Sequence, residues 1–170
     1  MNLGNTQLEF KIEKALRLLT EFMPADEDRK KPILMHALRV GMSLYERGYS
    51  EDVVIAGFLH DIIEWAESPE KFIREEFGQK VFDIIKANTK DRSIEDLHER
   101  RKDYVERCVK VGVEALIVKT ADTLDSYNFY QATNVPDEIE RSQEIGNLLL
   151  DSVPDGVEDP IFDQLKSIVV

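Results

Sequence analysis

The long apolar stretches of this chain recur at helical spacing, and no alternating segment is bounded by the Asn-Gly or Asp-Gly turns that join strands. The expectation is therefore an all-α fold. Leu8, Ile12, Ala15, Leu16, Leu19 and Phe22 form one stripe, which Pro24 should end. Pro32 opens a second helix that runs to about Arg47 and stops at Gly48. Ser50, followed by Glu51 and Asp52, has the look of an N-cap with an acidic first turn, and the helix it starts should reach about Ala66. Ser68-Pro69-Glu70 begins a short helix closed by Phe77-Gly78, and Val81, Phe82, Ile84 and Ile85 belong to another. Ser93 and Asp96 resemble a capping box. Val113 to about Tyr130 is apolar enough to be a central helix, and Asp137 and Asp159-Pro160 mark two later starts.

With 170 residues, 42% of them hydrophobic and 33% charged, the chain suits a single globular domain spanning 1–170. The motif-bearing core covers about 29–130 and an acidic helical cover about 136–170. Leu148, Leu149, Leu150, Ile161, Phe162 and Leu165 should pack that cover on the core, and no chemistry is assigned to it. Charges break each apolar stretch well before the roughly 18 residues of a membrane span, and charged residues also interrupt residues 1–20 where a signal segment would lie. A single cysteine, Cys108, permits no internal disulfide, so a cytoplasmic setting is expected. The net charge of −12 argues against a nucleic-acid polymer or an anionic membrane as partner. A small phosphorylated ligand remains compatible, its charge met locally by Arg29-Lys30-Lys31 and Arg100-Arg101-Lys102.

Polar residues interrupt the apolar helices at four positions: His36, the doublet His60-Asp61, and Asp122. Imidazoles and carboxylates buried among Leu, Ile and Val cost several kcal/mol unless they are paired or bind a cation. One divalent transition metal would satisfy all four. Two imidazole nitrogens with two carboxylate oxygens suit Mn²⁺ first, with Fe²⁺, Co²⁺, Ni²⁺ or Zn²⁺ as alternatives, and leave positions for water and a substrate oxygen. A thiolate zinc site is excluded, because Cys108 stands alone. On a continuous helix Glu64 lies four residues after His60, over the same face as the ligands. A bound cation lowers the pKa of water from about 15.7 toward 7, and a carboxylate so placed can serve as the catalytic acid/base. Arg29, Lys31 and Arg101 are candidates for holding phosphate oxygens, Lys119 lies one turn before Asp122, and Trp65 has a ring that could stack on a base. Asp125, one turn beyond Asp122, is either a support for the ligands or an exposed acid, while His98 and Cys108 carry no assigned role.

The ordered set His36, His60-Asp61 and Asp122 resembles the pattern of the HD superfamily of metal-dependent phosphohydrolases. Within it the chain most resembles the hydrolase domain of RelA/SpoT proteins and the small stand-alone alarmone hydrolases, over about Arg29 to Tyr130. The likeness rests on Arg29-Lys30-Lys31-Pro32, on Gly57 to Glu64, on Phe77-Gly78, Val81 and Thr89-Lys90, and on Arg100-Arg101 with Val118 to Leu124. It implies a helical HD-type bundle and an Mn²⁺-dependent reaction in which hydroxide formed at the metal removes the 3′-pyrophosphate of a (p)ppGpp-like nucleotide. Two positions depart from the family: Trp65 stands where a second carboxylate is usual, and Ser126 where an asparagine near the sugar is usual. Both touch the substrate side. They leave open a 5′-nucleotidase acting on (deoxy)nucleoside monophosphates, which needs no second carboxylate, and a metal-binding regulatory module without turnover.

Overall fold

The computed structural model describes residues 6–23, 29–66 and 69–169, and no strand occurs among them. The helices are α1 (Thr6–Phe22), α2 (Ile33–Glu46), α3 (Glu51–Leu59), α4 (Ile62–Trp65), α5 (Glu70–Phe77), α6 (Gln79–Asn88), α7 (Leu97–Val111), α8 (Val113–Thr133), α9 (Pro136–Asp151) and α10 (Pro160–Lys166). The proposed breaker Pro24 and the proposed helix start at Ser68 lie outside the described residues. Ser50 does precede α3, but its hydroxyl donates to Glu114 rather than capping its own helix. Asp96, not Ser93, caps α7: its carboxylate accepts from the Glu99 amide at 2.9 Å, while Ser93 turns back onto Asp91. Asp159 caps α10 through the Ile161 amide.

α8 is the axis of the fold. Every residue from Ala115 to Ala121 is buried, as a helix must be that packs against α2, α3, α6, α7, α9 and α10. α2 lies against both α3 and α8, which brings His36 on α2, the His60-Asp61 turn that follows α3 and Asp122 on α8 close together. Two glycines let α2 and α3 come this close. A Cβ built on Gly41 would stand 2.3 Å from the Phe58 ring, and one on Gly57 2.4 Å from Leu44 Cδ1, so a side chain at Gly41 would displace the buried ring and one at Gly57 would displace the end of Leu44.

The helix expected to run to Ala66 is interrupted at the His60-Asp61 doublet, where Asp61 has φ −96° and ψ −6°. His60 Nδ1 folds back to the Gly57 carbonyl at 2.8 Å. The break has a cause in the ligands: two neighbouring residues on a regular helix point about 100° apart, and loosening the turn lets both face the same point. α9 and α10 cover α8 through Leu149, Ile161, Phe162 and Leu165, all buried, with Leu148 and Leu150 partly so.

Candidate metal centre and phosphate cavity

His36 Nε2 stands 3.1 Å from His60 Nε2 and 2.9 Å from Asp122 Oδ1, and His60 Nε2 is 3.7 Å from that same oxygen. Asp61 Oδ2 lies 3.5 Å from His60 Nε2 and 3.9 Å from His36 Nε2. Ligands about 2.1 Å from a shared ion stand roughly 3 Å apart in adjacent octahedral positions and roughly 4.2 Å apart when opposite. These five separations fall in that interval, give or take a tenth of an ångström; the group whose ligand atoms all lie within 4.8 Å of one another is His36, His60 and Asp122, with Asp61 beside the two histidines. The proton positions agree. Nδ1 of His60 faces a carbonyl and Nδ1 of His36 faces Asp125 Oδ2 at 2.6 Å, so the protons sit on Nδ1 and both Nε2 lone pairs converge with the carboxylates. Converging lone pairs need a cation.

The surrounding electrostatics favour one as well. Burial works against charging the His60 ring, yet the carboxylates of Asp61 and Asp122 outweigh it and hold its pKa above the ordinary histidine value. Burial likewise works to raise the Asp122 pKa, but Lys119, with His36, His60 and Lys31, keeps it well below the usual carboxylate range. Lys119 is 2% exposed and its Nζ donates to Asp122 Oδ2 at 2.9 Å, which leaves Oδ1 turned to the histidines. Asp125, which the sequence left undecided, orients His36 and is itself gripped by the Arg39 guanidinium at 2.6 and 2.9 Å. Asp125→Ala is expected to lower metal affinity about 10- to 100-fold with the fold intact, measured by competition with a chelator. An unchanged affinity would make the contact incidental.

A cavity of about 240 Å³ opens beside these ligands, bordered by Asp61 and Asp122 and by Arg29, Lys31, Lys90, Lys119 and Arg141. Lys31 donates to Ser126 at 2.7 Å, and its ammonium is 4.0 Å from Asp122 Oδ1. Burial lowers the Lys31 pKa from the usual lysine value against the pull of Asp122 and Asp61. Trp65 borders the cavity with the Arg29 guanidinium 4.0 Å and the Arg92 guanidinium 4.9 Å from its ring centroid. The ring is thus already engaged with cations. A wider hollow adjoins, sharing Trp65, Lys90, Tyr104, Glu138 and Arg141, and it is this hollow that Glu64 and Arg101 border.

The Glu64 carboxylate, with its side chain 2% exposed, accepts from the Lys90 amide at 3.1 Å and from Lys90 Nζ at 3.1 and 3.0 Å. Of the second basic cluster, Arg100 donates to the Ile94 carbonyl, Arg101 pairs with Glu144, and Lys102 pairs with Glu99. The first cluster is the one brought to the cavity. His98 is exposed and pairs with Glu144, and Cys108 is buried with its thiol pushed up to about 11, so neither joins the site. The acidic cover, to which the sequence reading assigned no chemistry, reaches the cavity: Glu138, Arg141, Ser142 and Ile145 of α9 form part of its wall.

An HD domain family model matches residues 15–148. The chain belongs to the HD domain family. Among relatives of this HD domain, the guanosine-3′,5′-bis(diphosphate) 3′-pyrophosphohydrolase of Aquifex aeolicus (strain VF5) is 26% identical over 141 residues, which is 73% of this chain and 20% of that protein. The pyrophosphohydrolase MESH1 of Drosophila melanogaster is 28% identical over 112 residues, covering 65% of this chain and 62% of its own. The HD domain therefore spans a fifth of the bacterial relative and less than two thirds of the fly one. In fold it matches the solved structure of a metazoan ortholog of SpoT that hydrolyses ppGpp, with a TM-score of 0.72 at 20% identity over 99% of this chain and 96% of that one. No helix among the described residues is long and apolar enough to cross a membrane.

Proposed function

We propose that this HD domain is a metal-dependent phosphohydrolase that removes the 3′-pyrophosphate of a (p)ppGpp-like nucleotide. The observation that carries the reading is the cluster of His36, His60 and Asp122, with Asp61 beside both histidines, at the edge of a cavity rich in Lys and Arg. The names of the relatives support the same substrate class. Those four side chains would hold a divalent ion, Mn²⁺ in this proposal, which when bound supplies Lewis acidity toward a phosphoryl oxygen and acidifies a water. Arg29, Lys31 and Lys119 neutralise phosphate oxygens and fix the phosphorus in line. Water adds to the phosphorus next to the ribose, the P–O3′ bond breaks, and Glu64 relays the water's proton to the departing 3′-oxygen. Lys90 borders both hollows, so a bound phosphate competes with Glu64 for its ammonium and frees the carboxylate. Ser126 and Trp65 lie toward the sugar and base, with Arg101 at the outer hollow. The chain acts as one domain, and the buried thiol of Cys108 suits a reducing cytoplasm.

The test is a phosphate- and pyrophosphate-release screen of nucleotides with added Mn²⁺. Release of pyrophosphate from a 3′-pyrophosphorylated guanine nucleotide, with a strong rise in KM on Arg29→Ala, is the expected result. Efficient cleavage of nucleoside monophosphates, no pyrophosphate release and indifference to Arg29→Ala would replace this reading with the 5′-nucleotidase, which Trp65 in place of a second carboxylate favours. Stoichiometric metal with no turnover on any nucleotide would leave a regulatory module.

A further inference from the structure

The part of the cavity wall built by α7 and α9 carries polar groups that the mechanism above does not use. Tyr104 of α7 is 1% exposed and borders both hollows as a residue, and its buried hydroxyl has no hydrogen-bond partner among the described residues. About nine in ten buried polar groups are partnered, and a phenylalanine would fill the same space without leaving a hydroxyl stranded. The neighbouring lysine does not satisfy it. Lys119 approaches the Tyr104 ring, with Nζ 4.4 Å from its centroid, and directs its N–H groups to Asp122 Oδ2 and the Asn88 carbonyl. On α9, Arg141 gives Nη1 to Glu138 at 3.0 Å and borders the same two hollows.

The missing partner can be characterised by charge. Lys119, Arg141 and Arg101 all make themselves felt at Tyr104, against Asp122 alone, so the place favours an anionic acceptor. Burial pushes the phenol up to about 12, which keeps it a neutral donor at any working pH. Through Lys119 the hydroxyl is also one side chain removed from the ligand Asp122.

We propose that the Tyr104 hydroxyl and the Arg141 guanidinium form an oxyanion subsite for the terminal, non-reacting phosphoryl group of a pyrophosphate, making Tyr104 a determinant of diphosphate over monophosphate. This rests on the hydrolase reading for its place in the reaction, but not for its test. Tyr104→Phe removes one oxygen and keeps the ring against Lys119. Inorganic pyrophosphate and inorganic phosphate are titrated calorimetrically into Mn²⁺-loaded wild type and variant, and Tm is measured without ligand. Pyrophosphate is expected to bind the variant about tenfold more weakly, the worth of a hydrogen bond to a charged oxygen, with phosphate changed less than about twofold. Tm should stay level or rise, because an unpartnered buried hydroxyl has been removed. Arg141→Gln should reproduce the loss for pyrophosphate. Equal pyrophosphate affinity in wild type and Tyr104→Phe overturns the subsite and leaves a tyrosine bonded to buried water. Equal losses for both anions, or a fall in Tm with loss of both, overturn it in favour of a support for Lys119. Because binding is read without turnover, a protein that leaves (p)ppGpp intact yet loses pyrophosphate on Tyr104→Phe keeps the subsite and discards the nucleotide.

Discussion

Asp122→Asn should yield a protein that neither retains a transition metal nor hydrolyses the proposed nucleotide, and that unfolds at a lower temperature. The two losses have separate causes. Oδ1 is the carboxylate oxygen that meets both histidines, and an amide is a far poorer ligand there. Oδ2 is the partner of Lys119, an ammonium with almost no access to water. Neutralising Asp122 strands that charge, and breaking a buried pair from one side costs about 3–5 kcal/mol. A second substitution separates the effects: Lys119→Met in the Asp122→Asn background should restore much of Tm without restoring metal. Elemental analysis decides the ligand question, because a variant holding stoichiometric metal would remove Asp122 from the set. His36→Ala should lose metal in the same way while leaving the Lys119–Asp122 pair in place.

Glu64→Gln is expected to keep the metal and the fold while lowering kcat by on the order of 10² or more, the usual worth of a positioned proton carrier. Lys90 is what makes this substitution informative. Its ammonium addresses both Glu64 oxygens, and a glutamine can still accept from it and from the Lys90 amide, so the local geometry has reason to persist. Lys90 is about a quarter exposed, so losing its charged partner is screened by solvent and should move Tm little. What glutamine cannot do is carry a proton between the attacking water and the departing oxygen. Full activity in Glu64→Gln would take the residue out of the mechanism and leave it as the partner of Lys90.

The helices were legible because apolar spacing and the Pro and Gly breakers are local signals, and the bounds of α1, α2 and α8 follow them closely. The polar cluster was legible for a related reason: a histidine or aspartate inside an apolar helix is costly enough to demand an explanation. Two things were not. The turn at His60-Asp61 has no Gly or Pro to announce it, since it comes from side chains that converge only after α2 and α8 are in place. Tyr104, Arg141 and Lys90 sit on α7, on α9 and just past α6, and no periodicity relates residues that meet by packing. Asp125 was half visible, one turn beyond a ligand, but its service to His36 depends on where α2 crosses α8. The basic clusters looked equivalent as sequence. Only their acidic neighbours in space separate them, with Arg101 drawn to Glu144 and Lys31 turned inward.

The tight crossing of α2 and α3 at Gly41 and Gly57 would bear on which metal the proposed site accepts. His36 precedes Gly41 on α2 and His60 follows Gly57 at the end of α3, so the gap between their Nε2 atoms depends on how closely these two backbones pack. Imidazole and carboxylate donors by themselves bind first-row metals in a fixed order of affinity, and a protein can depart from that order only through the geometry it imposes. Here the imposed geometry is held by two positions that offer no ligand, no charge and no side chain. Selectivity among metals held there would then depend on this helix contact as well as on the donors. Substitutions that loosen or wedge that contact should redistribute preference among metals while every donor stays in place.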